Sequence, residues 1–176
     1  MAGQAANEID YSTSNKLLVG GETQQFLTFT LGAEEYGVDI MMVREVKGWT
    51  ETTRLPNTPE YIRGVLNLRG IIIPIFDLRA RFTGKLTEPD AKNVVVILAV
   101  EERTIGILAD TVSDILTVDS NEIKPAPEAD VAISEHFVSG LIAVDGRMVV
   151  LLDINNLLHP HDFDHVNLPL STNNLN

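Results

Sequence analysis

The sequence predicts an all-β protein made of two similar units, each with about five short strands. The first observation behind this prediction is a repeat at an offset of 76 positions, which pairs Gly64 with Gly140, Gly70 with Gly146 and Asp77 with Asp153. The second is a match between Tyr36-Gly37-Val38 and Ile105-Gly106-Ile107, at an offset of 69 positions.

The third observation is Asp145-Gly146 between two apolar runs, which is a strong short-range hairpin signal. Five strands of this length close most naturally into a small barrel, because closure removes exposed edges. We therefore expect two five-stranded β-barrel subdomains, related by a pseudo-twofold axis, that share an apolar seam and carry short helices.

The strands of the first half follow from alternation of apolar and polar residues. Residues 26–31 alternate as in a half-buried antiparallel strand, and Tyr36, Val38 and Ile40 form the next inward row. Residues 41–48 predict a short turn that enters a third strand. Two more strands flank Arg69-Gly70.

Between these strands the sequence predicts a loop at residues 54–61 and a short helix at 77–82. Thr58 is a candidate N-cap and Pro59 suits the first helical position, so a helical turn is expected there. Pro74 cannot donate to a β-ladder, which predicts an edge strand or a bulge. Asp77 suits the N-terminus of the helix.

The second half repeats the pattern. Residues 94–100 form a continuous apolar run, which predicts a strand covered on both faces. A loop at 124–128 follows, then the second glycine-hinged hairpin and a short helix at 153–158. The predicted domain spans residues 23–159, with two intertwined β-barrel subdomains at about 26–90 and 91–158. Residues 1–22 predict a flexible arm and 160–176 a mobile tail.

Composition excludes several classes of protein. The 176 residues include no cysteine, so disulfides and cysteine-ligated metals are excluded. A net charge of −12 argues against general binding to nucleic acid or anionic membranes. Residues 1–8 lack the pattern of a signal peptide, and no apolar run is long enough to span a membrane.

Positive charge is concentrated in the first half. Eight of the 13 lysines and arginines lie between Arg44 and Lys85. These residues are either solvated strand faces or a basic contact surface within an acidic protein. One of them, Arg69, occupies the position of Asp145 in the repeat. Because turn chemistry gives no reason for an arginine there, we interpret Arg69 as a functional residue.

No catalytic constellation is present in the sequence. It has no nucleophile elbow, phosphate-cradling loop or dinucleotide fingerprint. Asp77 and Asp153 occupy matching positions, which favours a shared capping role over catalysis. Histidines 159, 161 and 165 cluster with two aspartates and leave a metal-dependent small-barrel hydrolase as an alternative. A polar tail explains them more simply, so we predict no metal and no cofactor. Trp49 belongs either to the core or to a contact surface.

The chain resembles the CheW family of bacterial chemotaxis coupling proteins. The resemblance rests on Asn67-Leu68-Arg69-Gly70 and on Ile73-Pro74-Ile75-Phe76-Asp77-Leu78. It extends from Phe26 to about Leu158 and includes Asn57-Thr58-Pro59 and Lys124-Pro125-Ala126-Pro127-Glu128. The resemblance implies two five-stranded SH3-like barrels packed about a hydrophobic core, in agreement with the repeat.

The resemblance also implies a scaffold adaptor without enzymatic activity. Members of the family bridge the cytoplasmic tips of methyl-accepting chemoreceptors to the histidine kinase CheA. The adaptor and the kinase's regulatory domain alternate in rings that organise receptor arrays, so self-association in rings is also open. The implied location is the cytoplasm, at membrane-associated arrays. The alternative is the same module in a receptor–kinase pathway outside chemotaxis.

Two sets of contact residues carry over from the resemblance. The implied receptor-binding groove comprises Val43, Glu45, Gly64, Asn67, Leu68 and Arg69. In such a groove, apolar residues would form a floor for a helix and Arg69 would donate to a carboxylate or to helix-terminal carbonyls. Gly64 would permit close backbone approach. The implied kinase-binding loop comprises Lys124, Pro125, Ala126, Pro127 and Glu128, whose two prolines keep it stiff.

Overall fold

The computed structural model describes residues 22–126 and 137–158. The described residues form ten strands, two short α-helices and two 3-10 turns. The strands are β1 (Thr23–Leu31), β2 (Glu34–Asp39), β3 (Val43–Gly48), β4 (Ile62–Leu68), β5 (Ile71–Asp77), β6 (Val94–Val100), β7 (Arg103–Ala109), β8 (Thr111–Asp119), β9 (Val138–Val144) and β10 (Arg147–Leu152). The helices are α1 (Leu78–Thr83) and α2 (Ile154–Leu157). The all-β class is confirmed.

The strands form two sheets of five. The first sheet has the order β8-β1-β2-β10-β9, and the second has the order β3-β6-β7-β5-β4. Each sheet contains one parallel pair, β2 with β10 in the first and β5 with β7 in the second. Because the two orders correspond strand for strand under the repeat, the predicted internal symmetry is present in the topology.

Each sheet combines strands from both of the intertwined ranges, about 26–90 and 91–158. The first sheet takes β1 and β2 from the first half of the chain and β8, β9 and β10 from the second half. The second sheet takes three strands from the first half and two from the second. Each half therefore gives two strands to one sheet and three to the other. The repeat could not predict this exchange, because it fixes which strands are equivalent and not which strands pair.

The matching glycines Gly37 and Gly106 have the same packing role. A Cβ atom on Gly37 would lie 2.9 Å from Cδ2 of Leu151, on the parallel neighbour β10. A Cβ atom on Gly106 would lie 2.5 Å from Cδ1 of Ile75, on the parallel neighbour β5. In both sheets the absence of a side chain leaves space for an aliphatic residue of the adjacent strand.

Three apolar clusters hold the sheets. The largest contains residues of both sheets, such as Phe29 and Tyr36 from the first and Phe76 and Ile107 from the second. One smaller cluster lies within the second sheet, and the other lies within the first. The shared central cluster is the apolar seam that the sequence predicts, and burial of its side chains stabilises the contact between the sheets.

Strand pairing within the described residues leaves both sheets open. In the second sheet, Thr53 lies five residues after the end of edge strand β3 and forms a single bridge to Val65 on the opposite edge strand, β4. In the first sheet, Lys124 follows edge strand β8 and bridges Leu141 on the opposite edge strand, β9. The two bridges are equivalent under the repeat. The SH3-like barrel form stays a prediction.

Two local predictions need correction. The residues around Thr58 form turns without a helix, and the Thr58 hydroxyl donates to the carbonyl of Leu55 (3.1 Å). Pro74 lies in β5, which is an inner strand of its sheet and not an edge. The position is tolerated because the ladder between β5 and β7 begins only at Ile75, so no neighbour on that side needs the missing N–H.

Both predicted helices are present, and both are capped as expected. The side chain of Asp77 accepts from the backbone N–H of Ala80, and that of Asp153 accepts from Asn156. Asp77 is fully buried and also accepts from the backbone N–H of Thr87 (2.7 Å) and from its hydroxyl (2.9 Å). The shared capping role of the two aspartates is confirmed.

Candidate protein-contact site

The turn between β4 and β5 has the same backbone form as its repeat. Arg69 has a φ of 51° and Gly70 a φ of 85°, while Asp145 and Gly146 have values of 47° and 76°. A left-handed conformation costs a non-glycine residue about 1 kcal/mol, and Asp tolerates it better than Arg. Arg69 therefore occupies a position for which the fold alone favours Asp, Asn or Gly.

The side chain of Arg69 is exposed but not free. Its guanidinium donates to the carboxylate of Glu45, with which it forms an ion pair. The exposed fraction is 73% for the Arg69 side chain and 31% for that of Glu45. Glu45 lies on β3 and Arg69 at the end of β4, so the pair connects the two edges of the second sheet. The two residues belong to the groove that the family resemblance implies, and their role in binding a receptor stays a prediction.

Two further residues of the implied groove contribute to the hairpin itself. The side-chain oxygen of Asn67 accepts from the backbone N–H of Gly70 (2.9 Å), which stabilises the turn. Leu68 is half-buried and packs against the inner cluster of the second sheet. Asn67 is exposed, so its amide group is accessible to a partner while its oxygen holds the turn.

Gly64 lies in close contact with another backbone segment of the same chain. Its φ is +129°, and a Cβ atom there would lie 2.3 Å from the carbonyl oxygen of Thr53. Thr53 is the residue that bridges to Val65 across the sheet opening. The backbone that approaches Gly64 therefore belongs to the same chain and not to a partner. The sequence could not show this, because nothing in residues 50–54 marks them as a second neighbour of β4, beside β5.

Val43 lies on β3, two residues before Glu45, and is half-buried against the central cluster. The register between β3 and β6 shifts between Val43 and Glu45. The shift leaves Arg44 as an extra, exposed residue on β3. The six implied groove residues thus lie on β3, on β4 and in the turn after β4, and the ion pair between Glu45 and Arg69 links the two strands.

Sequence reasoning missed an exposed apolar surface on the same hairpin. Ile71 is 56% exposed and Ile72 is 41% exposed, directly after the turn. Ile71 pairs with Leu68 and Ile72 pairs with Asn67 across the hairpin. The signal was present in the run of three isoleucines at 71–73, because alternation in a strand cannot turn all three toward the core. Ile73, the third, is buried.

The described part of the implied kinase loop lies at the opposite sheet. Lys124 exchanges two backbone hydrogen bonds of 2.8 Å with Leu141 on β9. Lys124 and Pro125 are exposed, and Ala126 is half-buried. Pro127 and Glu128 lie outside the described residues. The flexible arm, apart from Glu22, and the predicted tail also lie outside them.

The alternative metal site receives no support from the described part of the chain. Within residues 22–126 and 137–158, no group of three His, Asp or Glu side chains is placed to hold a metal ion. The tail histidines of that alternative lie outside these ranges. The carboxylate of Asp77, the other candidate for chemistry, is buried and accepts three hydrogen bonds from Ala80 and Thr87.

In the same described ranges, no helix has the length and apolar character required to cross a bilayer.

The fold and this surface define a protein-binding module of the scaffold class. Two β-sheets hold an exposed hairpin on which an arginine and two isoleucines are presented to solvent. The chain belongs to the CheW family: residues 25–161 match the model of the CheW-like domain. Membership makes it a chemotaxis coupling adaptor, a scaffold protein without enzymatic activity.

Individual relatives agree with this assignment. The chain is 46% identical over 149 residues to the chemotaxis protein CheW of Klebsiella aerogenes, with 84% of this chain and 89% of the relative covered. It is 40% identical to the chemotaxis protein CheW of Rhizobium meliloti, with 76% and 86% covered. A crystal structure of the scaffolding protein TtCheW from Thermoanaerobacter tengcongensis matches with a TM-score of 0.72 and 32% identity, covering 78% of this chain and 89% of that chain.

Proposed function

We propose that the chain couples methyl-accepting chemoreceptors to the histidine kinase CheA in cytoplasmic receptor arrays. The observation that carries the proposal is the placement of Arg69. It has an unfavourable left-handed backbone and a side chain that is 73% exposed, in a turn that Asp145 forms equally well elsewhere in the chain. A residue that the fold disfavours, at an exposed position, points to selection for contact with a partner.

The receptor contact uses the surface around this turn. A helical hairpin needs an apolar strip for its buried face and a few polar groups that fix its orientation. Leu68, Ile71 and Ile72 offer apolar area beside the turn, and Arg69 offers forked donors. Glu45 holds the Arg69 guanidinium in place until a partner carboxylate or carbonyl competes for it.

The kinase contact uses the loop that begins at Lys124. Its backbone is fixed to β9 by the bridge to Leu141, and Pro125 removes further backbone freedom. Docking of such a stiff, exposed segment costs little ordering entropy. This loop and the β4–β5 turn belong to different sheets, so one adaptor can hold the receptor and the kinase regulatory domain at the same time. The same arrangement allows copies of the chain to alternate with that domain in rings.

The test is a three-component assembly with a receptor signalling fragment and the kinase. Kinase activity should come under receptor control only when this chain is present. Arg69→Ala should weaken binding of the receptor fragment while the thermal unfolding midpoint stays near that of the wild type. Charge reversal at Lys124 or Glu128 should weaken kinase binding more than receptor binding. Receptor control without the chain, or equal loss of both contacts in each variant, would contradict the proposal.

A further inference from the structure

A polar cavity of about 360 Å³ lies beside the candidate receptor surface. It is bounded by the segment after β3, by the start of β4 and by the loop after α1. Its lining residues are Trp49, Glu51, Thr52, Arg54, Glu60, Arg63, Leu86 and Pro89. The two basic lining residues, Arg54 and Arg63, donate no side-chain hydrogen bond to another residue of the described ranges.

Arg63 is the less exposed of the two arginines, with 20% of its side chain accessible. Its guanidinium lies 3.8 Å from a carboxylate oxygen of the fully buried Asp77, which is a charge contact but too long for a hydrogen bond. Asp77 is already satisfied by Ala80 and Thr87. The guanidinium of Arg63 therefore balances the buried charge and keeps its donors available to a ligand.

Arg54 and Trp49 complete the binding features of the cavity. Arg54 is exposed and forms no hydrogen bond or ion pair with another residue of the described ranges. Trp49 is half-buried, and its backbone N–H donates to the carbonyl of Asn93 (2.9 Å), which fixes its position. Glu51 and Glu60 are both exposed, so they are better hydrated than Arg63.

We propose that this cavity binds a carboxylate side chain of the protein that docks on the β4–β5 hairpin. This inference rests on the proposed receptor-binding function and adds a second polar contact to it. The cavity and the hairpin belong to the same sheet, because Arg63 lies on β4 and because Trp49 packs against the same cluster as Leu68. Two arginines among the lining residues favour forked recognition of a carboxylate. Glu51 and Glu60 compete with the incoming carboxylate for these donors.

The test measures the dissociation constant of the receptor signalling fragment for a matched set of full-length variants. Arg54→Glu should weaken binding about tenfold, because it replaces attraction by repulsion at an exposed position that the fold does not use. Arg103→Glu is the control with the same change of charge. Asn93, which contacts Trp49 of the cavity, directly precedes β6, and Arg103 follows the hairpin turn at the other end of β6. The seven residues of β6 therefore separate Arg103 from Asn93 by about 20 Å. The Arg103→Glu variant should bind the receptor fragment with a dissociation constant within about twofold of that of the wild type.

Two more variants change the cavity in opposite directions. Glu51→Gln with Glu60→Gln should tighten binding about threefold, since the competing carboxylates are gone. Arg63→Lys keeps the charge beside Asp77 but loses the forked donor, so binding should weaken about threefold while the unfolding midpoint is unchanged. The contrast between Arg54→Glu and Arg103→Glu should also shrink at high salt, where exposed charges are screened.

The outcomes separate this inference from the proposed function. If the wild type binds the receptor fragment and Arg54→Glu matches Arg103→Glu, the cavity inference is overturned and the coupling function stands. Tighter binding by Arg54→Glu, or no gain on removal of the two glutamates, would also overturn it. If the wild type does not bind the fragment at all, the proposed function fails first.

Discussion

The β4–β5 and β9–β10 hairpins are two versions of one structure within a single chain. Both turns have two residues with positive φ, and both are followed by a buried strand and an aspartate that caps a short helix. In both, a glycine near the start of the hairpin lies against backbone that crosses from the opposite edge of the sheet. Gly64 meets the Thr53 carbonyl, and Gly140 meets Ile123 and the Lys124 carbonyl.

The hairpins differ in what they present to solvent. The first has an arginine at the turn, paired with Glu45 across the sheet opening, and an exposed isoleucine, Ile71, where the second has Arg147. Both hairpins expose an apolar residue at the next position, Ile72 in the first and Met148 in the second. The second has Asp145 at the turn, and its arginine, Arg147, pairs with Glu35 on β2 of its own sheet (3.1 Å). The common features are therefore those that the fold needs, while the features found in the first hairpin alone are the ones that we propose for contact with a partner.

The largest expected effect on stability is at the glycines. Gly64→Ala should lower the free energy of unfolding by about 3 kcal/mol or more, because its φ is unfavourable and the Cβ atom would meet backbone at 2.3 Å. Gly140→Ala should cost about 2 kcal/mol, since its contact at 2.6 Å is with the Ile123 side chain. Urea unfolding measures both. If Gly140→Ala proves the more destabilising, the two crossings are not equivalent in the way described.

The next largest effect should be a difference in stability between variants of the two capping aspartates, Asp77 and Asp153. Asp77→Ala should cost about 3 kcal/mol, because it leaves the buried N–H of Thr87 without an acceptor and Arg63 without its counter-charge. Asp153→Ala should cost about 1 kcal/mol, which is typical of losing a helix cap alone. Equal losses in denaturant titrations of the two variants would mean that the network around Thr87 adds nothing to capping.

Exchange of the turn residues tests function apart from stability. Arg69→Asp converts the first turn to the Asp-Gly sequence of the second and should change the unfolding free energy by less than about 0.5 kcal/mol. Binding of the receptor fragment should weaken about tenfold or more, because the arginine is replaced by a group of opposite charge. Asp145→Arg is the reciprocal control and should leave receptor binding unchanged. A similar loss of binding in both variants would remove the distinction between the hairpins.

The smallest effect concerns Tyr36, whose counterpart in the repeat is the apolar Ile105. Burial raises the pKa of Tyr36 above its usual value, and the hydrogen bond from its hydroxyl to Glu34 (2.6 Å) adds to the rise. Because the pKa is higher in the folded state, the protonated hydroxyl stabilises the fold below about pH 10, and this contribution is lost as pH rises further. Tyr36→Phe should therefore lose stability less steeply above about pH 10. Parallel curves for the two proteins would show that Tyr36 ionises equally well in the unfolded and folded chains.

The repeat was the most informative part of the sequence, and it has clear physical limits. It predicted the strands, both short helices and their caps, because turn and capping residues act through local geometry. It did not predict that β8 pairs with β1, since pairing between distant strands depends on how the two sheets pack. It also missed the role of Thr53, because the bridge to Val65 is made by backbone groups and does not require a particular side chain.

The roles of the candidate site residues stay predictions. The structure brings together Arg69 and Glu45, which the family resemblance places in one groove, and the backbone that approaches Gly64 is that of Thr53 in the same chain. The cavity around Arg63 had no sequence signal. Its residues come from three separated segments of the chain. The free donors of Arg63 become evident only from the structure, where the neighbouring carboxylate of Asp77 already accepts hydrogen bonds from other groups.

The exchange of strands between the two halves has a consequence for synthesis on the ribosome. The β1 strand cannot acquire its outer neighbour until about 90 further residues have emerged, since Thr23 pairs with Asp119 and Ser120 donates to the Glu22 carbonyl at a separation of 98 positions. Neither sheet is complete when only the first half of the chain has been made. Contacts so distant in sequence slow folding, and unpaired edges exposed in the meantime are open to other chains. A chain of which only the first half has been made therefore has unpaired strand edges in both incomplete sheets.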